Sequence, residues 1–462
     1  MELFNNCSQL ISLFVEKTNK LFYNRKRLND SRDVLYHNLM SVVKDRGVVS
    51  GNISLEKDTG NPTCVSAIEK ARDKLPINYL QNLTDNILTI FPVIQGRILS
   101  VDGSVIRISK FIKSHLPFSE SKTGSFKMGH LTAIYDIEQR IPIAFKLDPS
   151  GEERASLISL SGHIRPGDTL IVDRNYYSSD LFRFFEAKGV NLICRLSAAN
   201  TYIYGLEGGD DIDYNHDGVQ ARRISWHNPN KNSKDKFFVF ACNLPRTEYP
   251  VAKIVSMYHT RWDIEEFYKN LKHKLGGRFY NHKSLNTIHR KLYSQMLTSI
   301  LNGMIMKMAT NYTSDSKPAH NRKWNHKASF GYTLELLDQF LLMIIYQQEG
   351  FETKVINLLK IARRKATIRI RNDRHFPRKT ITPPSEFYRN NKPNPKKPKK
   401  TIVDKGTPCI NATKKAKPVK ILKDIATIYS KACAKRPLLV PYAKKIRLMF
   451  RDCFEKIKVF LL

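Results

Sequence analysis

Apolar residues recur at spacings of three and four through the first 90 positions, in CSQLISLFVEKTNKLF, RDVLYHNLMSVVKD, VSAIEKARDKL and NYLQNLTDNILTIF. That period predicts four helices, with Gly51 and the TGNP at 59–62 breaking the series. Beyond residue 95 the pattern changes. GRILSVDGSVIRIS (96–109), HLTAIYDI (130–137) and IPIAFKLD (141–148) are short apolar runs of strand character. A helical GEERASLISLSGHI follows, then a strand TLIVDRN (169–175), a helix SSDLFRFFEAKG and a strand VNLICRLS. This alternation predicts a mixed α/β layer with a central sheet.

Between about 198 and 249 the chain turns polar and loop-rich, with short strands in RRISWHNPNK and KFFVFACNL, which reads as a β-rich insertion. Helical spacing returns after Pro250 and continues through 285–309 and 330–360. The most apolar of these stretches, 332–346, contains Glu335 and Asp338, so it reads as a core helix and not a membrane span. The predicted organisation is therefore 1–92 helical, 93–197 the first part of the α/β core, 198–249 the insertion, and 250–362 the rest of the core with C-terminal helices. Residues 363–420 follow as a basic linker or tail, where NNKPNPKKPKK excludes regular structure, and 421–462 as a basic amphipathic helix.

Composition sharpens this picture mainly through charge. There are 77 Lys and Arg against 42 Asp and Glu, a net of +35. The excess is concentrated beyond residue 350, where 31 basic residues face 7 acidic ones. A basic balance of this size points to a polyanionic partner, most often nucleic acid. Seven cysteines stand singly, with no C-x-x-C pair, a pattern of reduced thiols and neither a disulfide framework nor a zinc site. The N-terminal MELFNNCSQLISLF lacks the basic start of a secretory leader, so the expectation is a protein of the cell interior with no membrane partner.

The candidate chemistry lies in three carboxylates. Asp102 interrupts the apolar strand ILSVDGS, and Asp173 ends the apolar strand TLIVDRN. An acid in an apolar strand is costly unless it is paired or binds a cation. If the two strands are neighbours, both carboxylates open into one crevice at the sheet edge. The third acid comes from YHTRWDIEEFYKNLKHKLGG (258–277), read as a single helix. At roughly 100° per residue, its Tyr258, Arg261, Glu265 and Lys272 share one narrow polar stripe. Three carboxylates around hard cations are a recipe for Mg²⁺, and two ions can activate a nucleophile and stabilise a leaving oxygen in phosphoryl displacement. Arg261 and Lys272 would then contact phosphates, and Tyr258 a phosphate or a base. Asp136 and Asp168 are assigned structural roles. A solvated face with i,i+4 pairs among Asp263, Glu265, Glu266 and Lys269 is the plainer alternative.

The spacing Tyr258-x2-Arg261-x3-Glu265-x6-Lys272 resembles the YREK signature of DDE transposases of the bacterial insertion-sequence-four type. The VDGSVIRIS around Asp102 and the GDTLIVDRNYYSSDLFRFFEAKGVNLICRLS around Asp173 resemble that family's two aspartate blocks. One departure is DRNYY where the family usually has DRGY, with Asn175 replacing Gly. The likeness extends over about residues 20–380. It implies a ribonuclease H-like core interrupted by a β insertion, with Asp102, Asp173 and Glu265 as catalytic residues and ligands of two Mg²⁺ or Mn²⁺ ions. It also implies cut-and-paste transposition through nicking, a hairpin intermediate and strand transfer. Tyr258, Arg261 and Lys272 would hold the transferred end, and Trp226 in the insertion would stack a flipped base. The implied partners are double-stranded DNA with terminal inverted repeats, read by the N-terminal helices, and a second copy of the chain. The compartment would be the bacterial nucleoid or cytoplasm, or the nucleus of a eukaryotic host; KKPKK (396–400) reads either as a nuclear address or, more plainly, as sequence-independent phosphate contacts. A DNA-binding derivative without activity, or a metal-dependent nuclease on the same core, remain alternatives.

Overall fold

The computed structural model describes residues 2–23, 30–44, 47–92, 94–149, 151–197, 201–206, 209–228, 236–314, 326–347, 350–365 and 367–369. The KKPKK run and the closing amphipathic helix expected from sequence lie outside the described residues. So do Cys409, Cys433 and Cys453.

Five helices open the chain: α1 (Glu2–Phe22), α2 (Ser31–Val43), α3 (Gly47–Thr59), α4 (Val65–Lys74) and α5 (Ile77–Thr89). Asp30 caps α2, its carboxylate accepting the Arg32 and Asp33 amides and so satisfying two of the helix's free donors. The reading of Gly51 as a break is corrected, because it lies inside α3. The reason is packing. A Cβ at Gly51 would stand 2.2 Å from Ser41 Oγ and 2.8 Å from the His37 carbonyl, so only glycine lets α3 lie this close to α2.

The sheet follows. Its strands are β1 (Ile98–Ser109), β2 (Ser119–Glu120), β3 (Phe126–Asp136), β4 (Ile141–Asp148), β5 (Thr169–Val172) and β6 (Asn191–Arg195). Helix α6 (Glu153–Ser159) precedes β5, and α7 (Ser179–Glu186) joins β5 to β6. After a short helix α8 (Thr201–Tyr204) come β7 (Asp211–His216), β8 (Val219–His227) and β9 (Phe237–Cys242). These last three are the expected insertion strands, and they extend the central sheet instead of forming one of their own. The order is β2-β3-β1-β5-β6-β9-β8-β7. β1, β5 and β6 are parallel neighbours, and β9 joins β6 antiparallel through Ile193–Cys242, Cys194–Ala241 and Arg195–Phe240.

Two helices, α9 (Val251–His259) and α10 (Trp262–His273), then lead to the two-residue β10 (Phe279–Tyr280), which pairs with β1. The chain continues as α11 (Leu285–Ser314), β11 (His326–Ala328), α12 (Phe330–Tyr346), α13 (Phe351–Lys365) and β12 (Thr367–Arg369), with β11 and β12 forming a separate pair. The stretch 332–346 is the buried α12. Its Asp338 meets Lys44 of α2 at 2.8 Å, and no described helix is long and apolar enough to cross a membrane.

Strand alternation divides the core in two. Leu99 and Val101 of β1, with Leu170 and Val172 of β5, face a cluster that also takes in α6, α7, the N-terminal helices and α11–α13. Ile106 and Ile108 of β1, Ile171 of β5 and Ile193 of β6 face the other side, covered by α9 and α10. The N-terminal helices therefore share a core with α11–α13.

Candidate active site

Strand register alone brings Asp102 and Asp173 together. The last paired residues of the parallel strands β1 and β5 are Val101 and Val172. The next residue on each strand is an aspartate, so two carboxylates leave neighbouring strands side by side and on one face. β5 ends there. On that side β1 is not paired again until Arg107 meets Phe279 of β10. The opening left between them lies at the carboxyl ends of the parallel strands, where open α/β sheets bind their ligands.

Asp102 is half-buried, and burial pushes its pKa up to about 6, against the pull of Arg261 and of a 2.9 Å bond from the Gly103 amide. Glu153 and Asp173 add like charge to the same spot. Asp173 stands at the start of the one-turn segment Arg174–Tyr176, but its carboxylate makes no capping bond there. Asn175 within that turn does not have a positive φ, so the glycine usual in the resembling family is not required here.

The third acid arrives on α10. The helix expected over 258–277 is interrupted: Tyr258 belongs to α9, while Glu265 and Lys272 belong to α10. Around Thr260 and Arg261 the amides bond three residues back, as Thr260 to Met257 and Arg261 to Tyr258, so the chain tightens for one turn. The tightening leaves Arg261 pointing at the acids. Its Nη2 lies 2.8 Å from Glu265 Oε1 and its Nη1 3.4 Å from Asp102 Oδ2. Burial works against the Arg261 charge, yet Tyr258, Asp102, Asp173 and Glu265 hold its pKa above the usual value. Asp102, Asp173 and Glu265 are thus gathered around one buried guanidinium.

The remaining residues singled out from sequence divide. The Tyr258 ring is buried 4.7 Å from Phe240, and its hydroxyl stands 3.5 Å from Asp173, so here it orients an acid and presents no stacking face. Lys272 donates to Ser104 Oγ at 2.6 Å, and burial with Arg107 nearby lowers its pKa. It borders the opening beside β1. Trp226 lies on β8 opposite Phe238, 39% exposed, with no described contact to the three acids. Asp168 forms a buried pair with Arg97, and Asp136 accepts the Gln139 amide, as structural roles require.

Two site residues escaped the sequence reading. The Tyr268 hydroxyl sits between the backbone carbonyls of Asp102 and Leu131, at 2.9 and 2.8 Å, pinning β1 where it leaves β5. Its position one helical turn after Glu265 was the available signal. Glu153 approaches Gly103 from the opposite face, and nothing in GEER distinguishes it from a surface acid.

The chemistry of this donor set suits a hard, oxygen-ligated cation, since carboxylates crowd a partly buried spot whose ionisation is already hindered. Among the described residues, no three His, Cys, Asp or Glu side chains already stand in a ligating arrangement.

No curated protein matches the sequence. Among solved structures, one titled as the cryo-EM structure of a piggyBac transposase synaptic complex with hairpin DNA is similar, with a TM-score of 0.44 and 10% identity, covering 78% of this chain and 85% of that one. That likeness is too distant to carry residues or substrates across. Residues 94–301 match the family model described as a transposase DDE domain, a family that generally works with divalent metal ions. The matched segment holds Asp102, Asp173 and Glu265 together.

Proposed function

We propose that the chain is a cut-and-paste DNA transposase of the insertion-sequence-four type, in which Asp102, Asp173 and Glu265 hold two Mg²⁺ ions. The observation that carries the assignment is the register. The two aspartates stand one residue past the last paired positions of adjacent parallel strands, and Arg261 joins the first of them to Glu265. When bound, the ions would supply activation of water or a 3′-hydroxyl and stabilisation of the leaving oxygen.

The chain's own groups do the rest. Tyr258 and Tyr268 fix the two aspartate positions from the α9–α10 side of the sheet. Arg261 holds Asp102 and Glu265 against their mutual repulsion, and its planar fork is suited to turn from carboxylates to a scissile phosphate when DNA enters. Lys272 supplies a point charge for a flanking phosphate. The DNA substrate carries terminal inverted repeats, two copies of the chain act on two ends, and Trp226 stacks a base extruded near the hairpin.

The test is a labelled duplex carrying the repeats that flank the gene, with full-length protein, Mg²⁺ and a Glu265→Ala control. Nicked, hairpin and plasmid-joined products that disappear in the control support the proposal. Tight binding without cleavage would make the protein a DNA-binding derivative, and cleavage without joining a nuclease.

A further inference from the structure

Glu153 opens α6 on the face of the sheet opposite α10, and its carboxylate rests against the backbone of Gly103, the residue after Asp102. Alternation along β1 makes this contact possible. Asp102 faces α10, so Gly103 faces α6. A Cβ at Gly103 would stand 2.3 Å from Glu153 Oε1, so the glycine leaves a cradle that the carboxylate fills. A second observation comes from Tyr176. Its side chain is fully buried and its hydroxyl lies beside Glu153 without closing a hydrogen bond of good geometry. A fully buried hydroxyl calls for a partner, and Glu153 is the acceptor beside it.

Resting on the reading of Asp102, Asp173 and Glu265 as metal-holding acids, we propose that Glu153 is a fourth carboxylate of that site, contributed from the opposite face of the sheet and positioned by Gly103 and Tyr176. The geometry favours a role at the site over a role in folding. Glu153 makes no described ion pair, whereas Asp168, at the other end of β5, is matched by Arg97 at 2.6 Å. An acid set next to two others without a cation of its own is costly to the fold unless a cation is to arrive. Glu153 either ligates an ion or accepts from its bound water, with the Tyr176 hydroxyl fixing the carboxylate's orientation, as outer partners of metal ligands do.

The experiment measures Mn²⁺ binding to the full-length protein by calorimetry and, separately, the Mg²⁺ concentration needed to cleave the terminal-repeat duplex. Glu153→Gln is expected to weaken Mn²⁺ binding by about 10- to 100-fold and to raise the Mg²⁺ requirement in step. Glu153→Asp is expected to restore part of both. Gly103→Ala gives an independent route, because the three atoms nearest its Cβ all belong to the Glu153 side chain. It should displace that carboxylate without removing a charge, reproduce the Glu153→Gln defect, and add little when the two are combined. Asp173→Asn separates the two levels of inference. If it loses metal and cleavage while Glu153→Gln and Gly103→Ala keep both, the fourth carboxylate is overturned and the three-acid site stands. If Asp173→Asn also keeps both, the site assignment itself has failed.

Discussion

The two ends of β5 carry the same kind of residue in opposite circumstances. Just before the strand, Asp168 is buried and answered in full: Arg97 meets it at 3.1 and 2.6 Å through two nitrogens, and the Arg165 amide adds a bond at 2.8 Å. Just after the strand, the Asp173 carboxylate has one long contact among the described residues, from Tyr258, and shares its surroundings with Asp102 and Glu153. Arg261 pairs with Asp102 and Glu265, and Lys272 is the next cation near Asp102. A buried acid with its own cation holds a fold together, whereas acids that outnumber the cations beside them are suited to receive another. Under the proposed function, structure lies at one end of the parallel strands and chemistry at the other.

Substitutions at the two ends should therefore have opposite signatures. The largest effect is expected at the Asp173 end, where Asp173→Asn or Glu265→Gln should slow strand cleavage by more than about a thousand-fold. The thermal midpoint should barely change, and melting and cleavage can be read on the same preparation. At the other end, Arg97→Ala leaves Asp168 buried and uncompensated, and should destabilise the protein by about 3–5 kcal/mol. Its cleavage rate per folded molecule should be retained. Loss of activity without loss of stability in Arg97→Ala would break the comparison.

A smaller effect sharpens it through pH. Asp102 has its pKa raised from 3.8 to about 6 by burial, so in the metal-free protein its ionised form opposes folding. The cost is absent below the unfolded value, grows as pH rises through the window between the two, and is complete above about 6. Asp102→Asn should accordingly stabilise the metal-free protein above pH about 6, by about 1–3 kcal/mol, with the gain fading toward pH 4. Thermal melts across that range in a chelating buffer would show it, and a pH-independent gain would contradict it. The smallest effect is expected at Trp226, where replacement by Ala should weaken hairpin formation by about 1–3 kcal/mol, the worth of one stacked base, and leave initial nicking intact.

Much of this was legible in the sequence because it is periodic. The acids of β1 and β5 announced themselves as polar residues in apolar runs, and the register then placed them. Three features were not legible. Gly51 reads as a helix breaker, yet close approach of α2 and α3 puts it inside a helix. The strands of 198–249 read as a β-rich insertion with no sign of their pairing partner; the free edge of β6 was available, and β9 pairs there and continues the sheet. The turn at Thr260 splits a stripe that looks continuous at helical spacing, and no residue type marks it. Glu153 was missed for the same reason as these: its role depends on which face of a distant strand carries a glycine.

The most direct test of the central claim is the binding of Mn²⁺ to full-length protein, compared between the unmodified chain and Asp173→Asn by calorimetry. Strong binding by the unmodified chain that is lost in Asp173→Asn, with an unchanged thermal melt, is the expected result. Equal binding by both would mean that the acids at the open end of β1 and β5 do not hold the metal, and the account would be wrong.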